Sequence, residues 1–143
     1  MGKFKKLIVV WMCLTLLVSS NCICANAQTD ENIQPYFIVT QNTSETFSIN
    51  SSGVASMTAA LSPKDTSKVD TVKVTFKIKN SNGVSVYNKT YTASWSSLFG
   101  EYNLYKTYQL SGRDAYMFNV VYKCYKNNTL IETITTDYIV DSY

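Results

Sequence analysis

Between Thr71 and Lys79 the side chains alternate without a break: Val72, Val74, Phe76 and Ile78 are apolar, while Thr71, Lys73, Thr75, Lys77 and Lys79 are polar. A period of two is the signature of an extended strand, whose successive side chains point to opposite faces; a helix would scatter these residues around its circumference. The same rhythm returns, with more noise, at Phe47 and Ile49, at Ala55, Met57, Ala59 and Leu61, and over Val84–Trp95 and Tyr102–Leu110. It continues through Tyr116, Phe118, Val120, Tyr122 and Cys124, and through Leu130–Val140. Turn chemistry separates these runs at Ser62-Pro63, Asn82-Gly83, Leu98-Phe99-Gly100, Ser111-Gly112 and Asn127-Asn128. Asparagine and glycine tolerate the positive φ that tight hairpins require. Seven short strands joined in this way predict an all-β antiparallel sandwich, and a partly closed barrel would give a similar pattern.

The first 27 residues have a different logic. Lys3, Lys5 and Lys6 precede the apolar run Leu7–Val18, and Ala25-Asn26-Ala27 follows as an A-x-A cleavage site. That order is expected of a secretory signal peptide, and the run is shorter than the ~20 residues a spanning helix needs. The expected organisation is a leader over 1–27, a flexible arm over 28–44 and a β-sandwich domain over 45–143, secreted and without a membrane span in the mature chain. Cys22 and Cys24 are preceded by Asn21 and Ile23, where a lipoprotein peptidase takes a small residue, so simple cleavage is expected over lipidation. Of the 13 basic residues three lie in the leader, which holds none of the ten acids, so the chain from Gln28 is formally neutral. Charge balance therefore gives no reason to expect nucleic acid as a partner. Cys124 is the one cysteine beyond the leader, and stability is expected from packing without disulfides.

The residue types restrict the chemistry. With no histidine, Ser-His-Asp and Cys-His arrangements and imidazole metal sites are excluded. Glycines are scattered singly, so no phosphate loop is present, and no cofactor or metal is expected. Glu101, Asp114, Glu132 and Asp137 are the carboxylates available for a glycosidase-like pair, but each reads far more simply as a solvated turn or edge residue, and no enzyme is expected. Cys124 shares its alternation with Phe118, Val120 and Tyr122 and reads as a small buried hydrophobe. The aromatic residues give the one functional hint: Tyr87, Tyr91, Trp95, Tyr102, Tyr105 and Tyr108 crowd two successive strands. Rings with a polar tip suit stacking on sugars or gripping a protein. Tyr91 and Trp95 share a face with Ala93, which favours a core position for them. An exposed aromatic strip including Tyr87, Tyr105 or Tyr125 is the expected contact surface.

Ser94-Trp95-Ser96, Leu104 and Lys106, Ser111-Gly112 with Tyr116, Val120 and Tyr122, and Glu132-Thr133 form an ordered series. Over about Phe47 to Tyr143 the chain resembles a family of short secreted proteins of Gram-positive bacteria with no assigned function. The resemblance implies export and an immunoglobulin-like sandwich, and it carries no catalytic residue across. The tyrosine-rich stretch Tyr102–Tyr108 departs from the simpler strand of that family. Asp114-Ala115-Tyr116 also resembles the tyrosine corner of immunoglobulin-type domains, which implies a bond from the Tyr116 hydroxyl to main chain near Gly112. The functional expectation is a non-enzymatic binding module for cell-wall glycan or an extracellular protein. The alternative is a structural or host-interaction module acting through a sheet edge.

Overall fold

A computed structural model of the chain describes residues 37–143; the expected leader and residues 28–36 of the expected arm lie outside the described residues. Nine strands follow one another: β1 (Thr40–Ile49), β2 (Val54–Pro63), β3 (Thr71–Asn80), β4 (Ser85–Thr92), β5 (Ser94–Ser96), β6 (Glu101–Gln109), β7 (Ala115–Lys126), β8 (Thr129–Thr135) and β9 (Ile139–Ser142). They form two antiparallel sheets. Sheet A has the order β1-β2-β6-β5, and sheet B the order β4-β3-β7-β8, with β9 also paired to β7. Among the described residues no helix is long and apolar enough to cross a membrane.

The alternation does what it predicts. Val72, Val74, Phe76 and Ile78 are fully buried, as are Met57 and Leu61 from the other sheet. Phe47 of sheet A stacks on Phe118 of sheet B with ring centroids 4.8 Å apart, and Phe76 packs against Phe118 at 5.4 Å. Each such side chain contributes roughly 1.5–3 kcal/mol on leaving water. Tyr122 latches the layers from within: its hydroxyl donates to Glu45 Oε1 at 2.8 Å, with the Ala60 carbonyl at 3.2 Å beside it. Burial first, and then the neighbouring Glu45 carboxylate, pushes that phenol well above its ordinary range. Cys124 is buried, as its parity predicts.

The count of nine corrects the expected seven, for two reasons. Val84–Trp95 is not one strand, because β4 pairs with β3 in sheet B while β5 pairs with β6 in sheet A. The chain changes sheets at buried Ala93, whose N–H donates to Val72 O at 2.9 Å. The side chains on either side of this crossing keep the same parity, so the pattern does not record it. Leu130–Val140 is likewise interrupted. Thr135 pairs with Val121 and Ile139 with Phe118, so the segment carries one residue more than β7 does, a bulge. Thr136 bridges the gap by donating its N–H to Val120 O and accepting from Val120 N on Oγ1, both at 3.0 Å. A third difference is the start of β1 at Thr40, inside the expected arm. Its inward positions Thr43 and Glu45 are polar, which hides the strand from a hydrophobic pattern.

Ser62-Pro63, expected as a turn, lies inside β2, paired with Asn42 and Thr40, because Pro63 closes a strand end where no N–H is needed; other turns follow the sequence. Asn127 and Asn128 both have positive φ, 49° and 63°, as a two-residue hairpin between Lys126 and Thr129 demands. The Tyr116 hydroxyl donates to Gly112 O at 2.7 Å.

Candidate functional site

β5 pairs only with Glu101–Asn103, so residues 104–109 of β6 border the side of the sandwich where β4 is the edge of sheet B. The inward positions of these two strands meet along that seam. On β6, Tyr102 and Leu104 are buried, and Lys106 and Tyr108, next in parity, are half-buried at the rim. On β4, Tyr87, Lys89 and Tyr91 stand opposite Ile78, Phe76 and Val74, all core residues, and so point the same way. The rings of Tyr87 and Tyr108 lie 4.6 Å apart at 51°. The hydroxyls of Tyr87 and Tyr91 share a hydrogen bond of 2.7 Å. The Lys106 ammonium sits 4.9 Å from the centre of the Tyr91 ring, and Lys89 lies 5.7 Å from that of Tyr87. Three rings and two cations thus converge from inward-facing positions.

The electrostatics are those of a semi-dry aromatic cluster. Burial, followed by the hydrogen bond with Tyr91, pushes the Tyr87 phenol well above its ordinary range, so that hydroxyl stays neutral. Each ammonium is held over a π face, an attraction of roughly 0.5–2 kcal/mol that leaves its charge in place. Such a seam offers hydroxyls that donate or accept and two cationic donors held against its rings. It can bond the hydroxyls of a sugar or a carboxylate.

The three tyrosines expected at the contact surface fall on three separate surfaces. Tyr87 is only 6% exposed and belongs to the seam. Tyr105 is 60% exposed and stands opposite Thr58 on the outer side of sheet A. Tyr125 lies on the outer side of sheet B, with the Lys73 ammonium 5.1 Å from its ring centre. The reason is parity: Tyr87 lies on the inward series of β4, Tyr105 on the outward series of β6, and Tyr125 follows inward Cys124. Trp95 is not core either. It is 41% exposed and meets Tyr102 edge-on at 4.9 Å, because a three-residue edge strand cannot cover an indole. Lys89 and Lys106, which residue type alone overlooks, share parity with the tyrosines around them, and that was the available signal.

The four carboxylates considered for catalysis occupy separate places. Glu132 is 7% exposed and accepts from the N–H groups of Ile38, Val39 and Thr40 and from Thr40 Oγ1, the last at 2.7 Å. Asp114 accepts from Ala115 N at 2.7 Å, Glu101 is in register with Ser96, and Asp137 lies in the bulge before β9. Among the described residues no group of three or more His, Cys, Asp or Glu side chains could hold a metal ion. A groove of about 440 Å³ lies at one end of the sandwich between Ile38, Val39, Ser67, Lys68, Lys126 and Ile131, with no ring in its lining.

No family model and no curated protein matches the chain. Among solved structures it is similar to a glycosyl hydrolase family 2 member from Bacteroides cellulosilyticus, with a TM-score of 0.41 and 16% identity. The alignment covers 72% of this chain and 15% of that one, so the chain spans a small part of that protein's length.

Proposed function

We propose that the chain is an exported, non-enzymatic binding module of a Gram-positive bacterium, with a sandwich of the immunoglobulin type, and that it takes an envelope glycan at the tyrosine–lysine seam. Two observations support the fold assignment. Strand order β1-β2-β6-β5 against β4-β3-β7-β8 corresponds to the immunoglobulin arrangement of strands A, B, E and D facing C′, C, F and G. The Tyr116–Gly112 bond falls at the start of β7, where such domains carry their tyrosine corner.

The binding reading is carried by the convergence of Tyr87, Tyr91, Tyr108, Lys89 and Lys106 at the one seam where β6 outruns β5. A purely structural seam would be filled most simply by aliphatic side chains, whereas this one keeps hydroxyls and cations at its rim. The sheet-edge alternative is less well supported. The N–H groups at and before the start of β1 are taken by Glu132, and Ile49 N by Asp141 Oδ2 at 2.7 Å. The edges of β4 and β6 carry the inward-pointing Lys89 and Lys106, a device that opposes pairing with another strand.

The test is an array of glycans and cell-wall polymers probed with purified Gln28–Tyr143. The expected result is retention by a saccharide, weakened about tenfold (~1.4 kcal/mol) in Tyr91→Ala and in Lys106→Met. Silence on every glycan, capture by protein alone, or binding untouched by both substitutions would contradict it.

A further inference from the structure

The outer face of sheet B has a charge pattern that the seam does not use. Because Val72 to Ile78 and Tyr122 and Cys124 point inward, Lys73, Lys77, Lys79 and Lys123 point outward. Their paired positions hold no acid. Lys73 stands opposite Thr92 on one side and Lys123 on the other, Lys77 opposite Asn88 and Asn119, and Lys79 opposite Ser85 and Met117. Lys123 meets Thr133 on its second side. Two ammoniums directly across a ladder repel one another and weaken the sheet. In a chain formally neutral from Gln28, this face concentrates four of the ten cations.

We infer that this face is a second binding surface, and that its ligand is an extended anionic polysaccharide. At ~3.4 Å per residue, Lys77 and Lys79 are about 7 Å apart along β3 and Lys73 about 14 Å beyond. That spacing suits charges repeated along a chain, as opposed to one compact anion. Two rings steady the ammoniums without neutralising them: Tyr125 under Lys73, and Tyr138, 5.7 Å from Lys79, whose hydroxyl also accepts from Lys79 Nζ at 3.3 Å. Between the cations lie Thr75 and Thr90, joined by a 2.7 Å hydroxyl bond, with Thr92, Thr133 and Asn88 around them. These groups are matched to sugar hydroxyls. A lipid surface calls for large apolar side chains among the cations, and a single-stranded nucleic acid for free ring faces. Here the hydroxyls of Thr75, Thr90, Thr92 and Thr133 lie among the lysines, and Val121 opposite Thr75 is buried. The apolar Met117 and Val140 stand only at the end beside Lys79, and the Tyr125 and Tyr138 rings are engaged by ammoniums. The surface is independent of the seam, whose side chains face between the sheets, so either reading can fail alone.

The purified protein, titrated with polygalacturonate and with uncharged dextran as control, tests this. Binding to polygalacturonate and not to dextran is expected, with affinity falling roughly tenfold from low to physiological salt. The double variant Lys73→Gln/Lys123→Gln should lose at least about tenfold while its melting temperature holds or rises, since the repelling pair is gone. Tyr105→Ala, on the outer side of the other sheet, should bind polygalacturonate as the parent does. The inference is overturned by undiminished binding in the double variant, by equal binding to dextran, or by no binding to polygalacturonate. Capture of oligo-dT or phosphatidylglycerol vesicles in its place would also overturn it.

Discussion

Replacing the buried Glu132 by alanine should destabilise this sandwich severely. Its carboxylate gathers the start of β1, accepting from Thr40 N at 3.1 Å, Thr40 Oγ1 at 2.7 Å and Val39 N at 3.3 Å, and from Ile38 N. Val39 and Thr40 are buried, so the truncation leaves two main-chain donors and a hydroxyl without an acceptor. Each stranded donor costs about 1–3 kcal/mol. Part of that is returned, because the native state no longer desolvates a carboxylate. A net loss of about 3–4 kcal/mol results, a large fraction of the ~5–15 kcal/mol available to a domain. At ~4 °C per kcal/mol for a domain of this size, the melting temperature should fall by roughly 12–16 °C. Glu132→Gln keeps the shape and one acceptor oxygen but turns an amide donor toward donors, and should lose about half as much. Thermal melts followed by circular dichroism, paired with urea midpoints, read both values. An alanine variant within about 2 °C of the parent would refute the reasoning. So would a glutamine variant of parental stability that no longer binds glycan, since Glu132 would then act on ligand.

Two further substitutions and one test of a native thiol follow from the structure. Tyr116→Phe removes the bond to Gly112 O and should cost about 1 kcal/mol in a urea titration; equal stability would deny the corner a structural role. Asn119 is 5% exposed and its Oδ1 has no hydrogen-bond partner among the described residues, so Asn119→Val should leave the melting temperature unchanged or raise it by a few degrees. Burial pushes the Cys124 thiol from 9.0 up to about 11, only partly opposed by Thr40. The native protein should therefore resist iodoacetamide at pH 8 and react once unfolded in urea. Because the folded thiol is the weaker acid, its contribution is intact below about pH 9 and declines as pH rises toward 11, which a pH series of melts will show.

Where one face of a strand is buried, the alternation was enough to read it: Val72 to Ile78 and Phe118 to Cys124 point inward as their parity requires, and Asn127-Asn128 turns as its chemistry demands. What escaped the pattern has physical causes. The crossing at Ala93 preserves parity, the bulge at Thr136–Tyr138 adds a single residue, and β1 presents Thr43 and Glu45 to the interior, where a hydrophobic pattern finds nothing. The seam was half legible. Tyr87, Tyr91 and Tyr108 were evident as a crowd of rings, and strict parity separates Tyr105 from them and adds Lys89 and Lys106. That β5 has only three residues, leaving the rim open, follows from the crossing at Ala93, which is tied to Val72, 21 residues earlier, and has no local signal. Glu132 looked like any strand carboxylate, because its partners at Ile38 to Thr40, at and before the start of β1, lie more than 90 residues away in the chain.

The most direct measurement is chemical-shift mapping of the labelled protein during titration with the saccharide that the array selects. The account predicts saturable shifts centred on Tyr87, Tyr91, Lys106 and Tyr108, with Tyr105 unmoved. Shifts confined to the outer face of sheet A, or along the β1 edge, would contradict it.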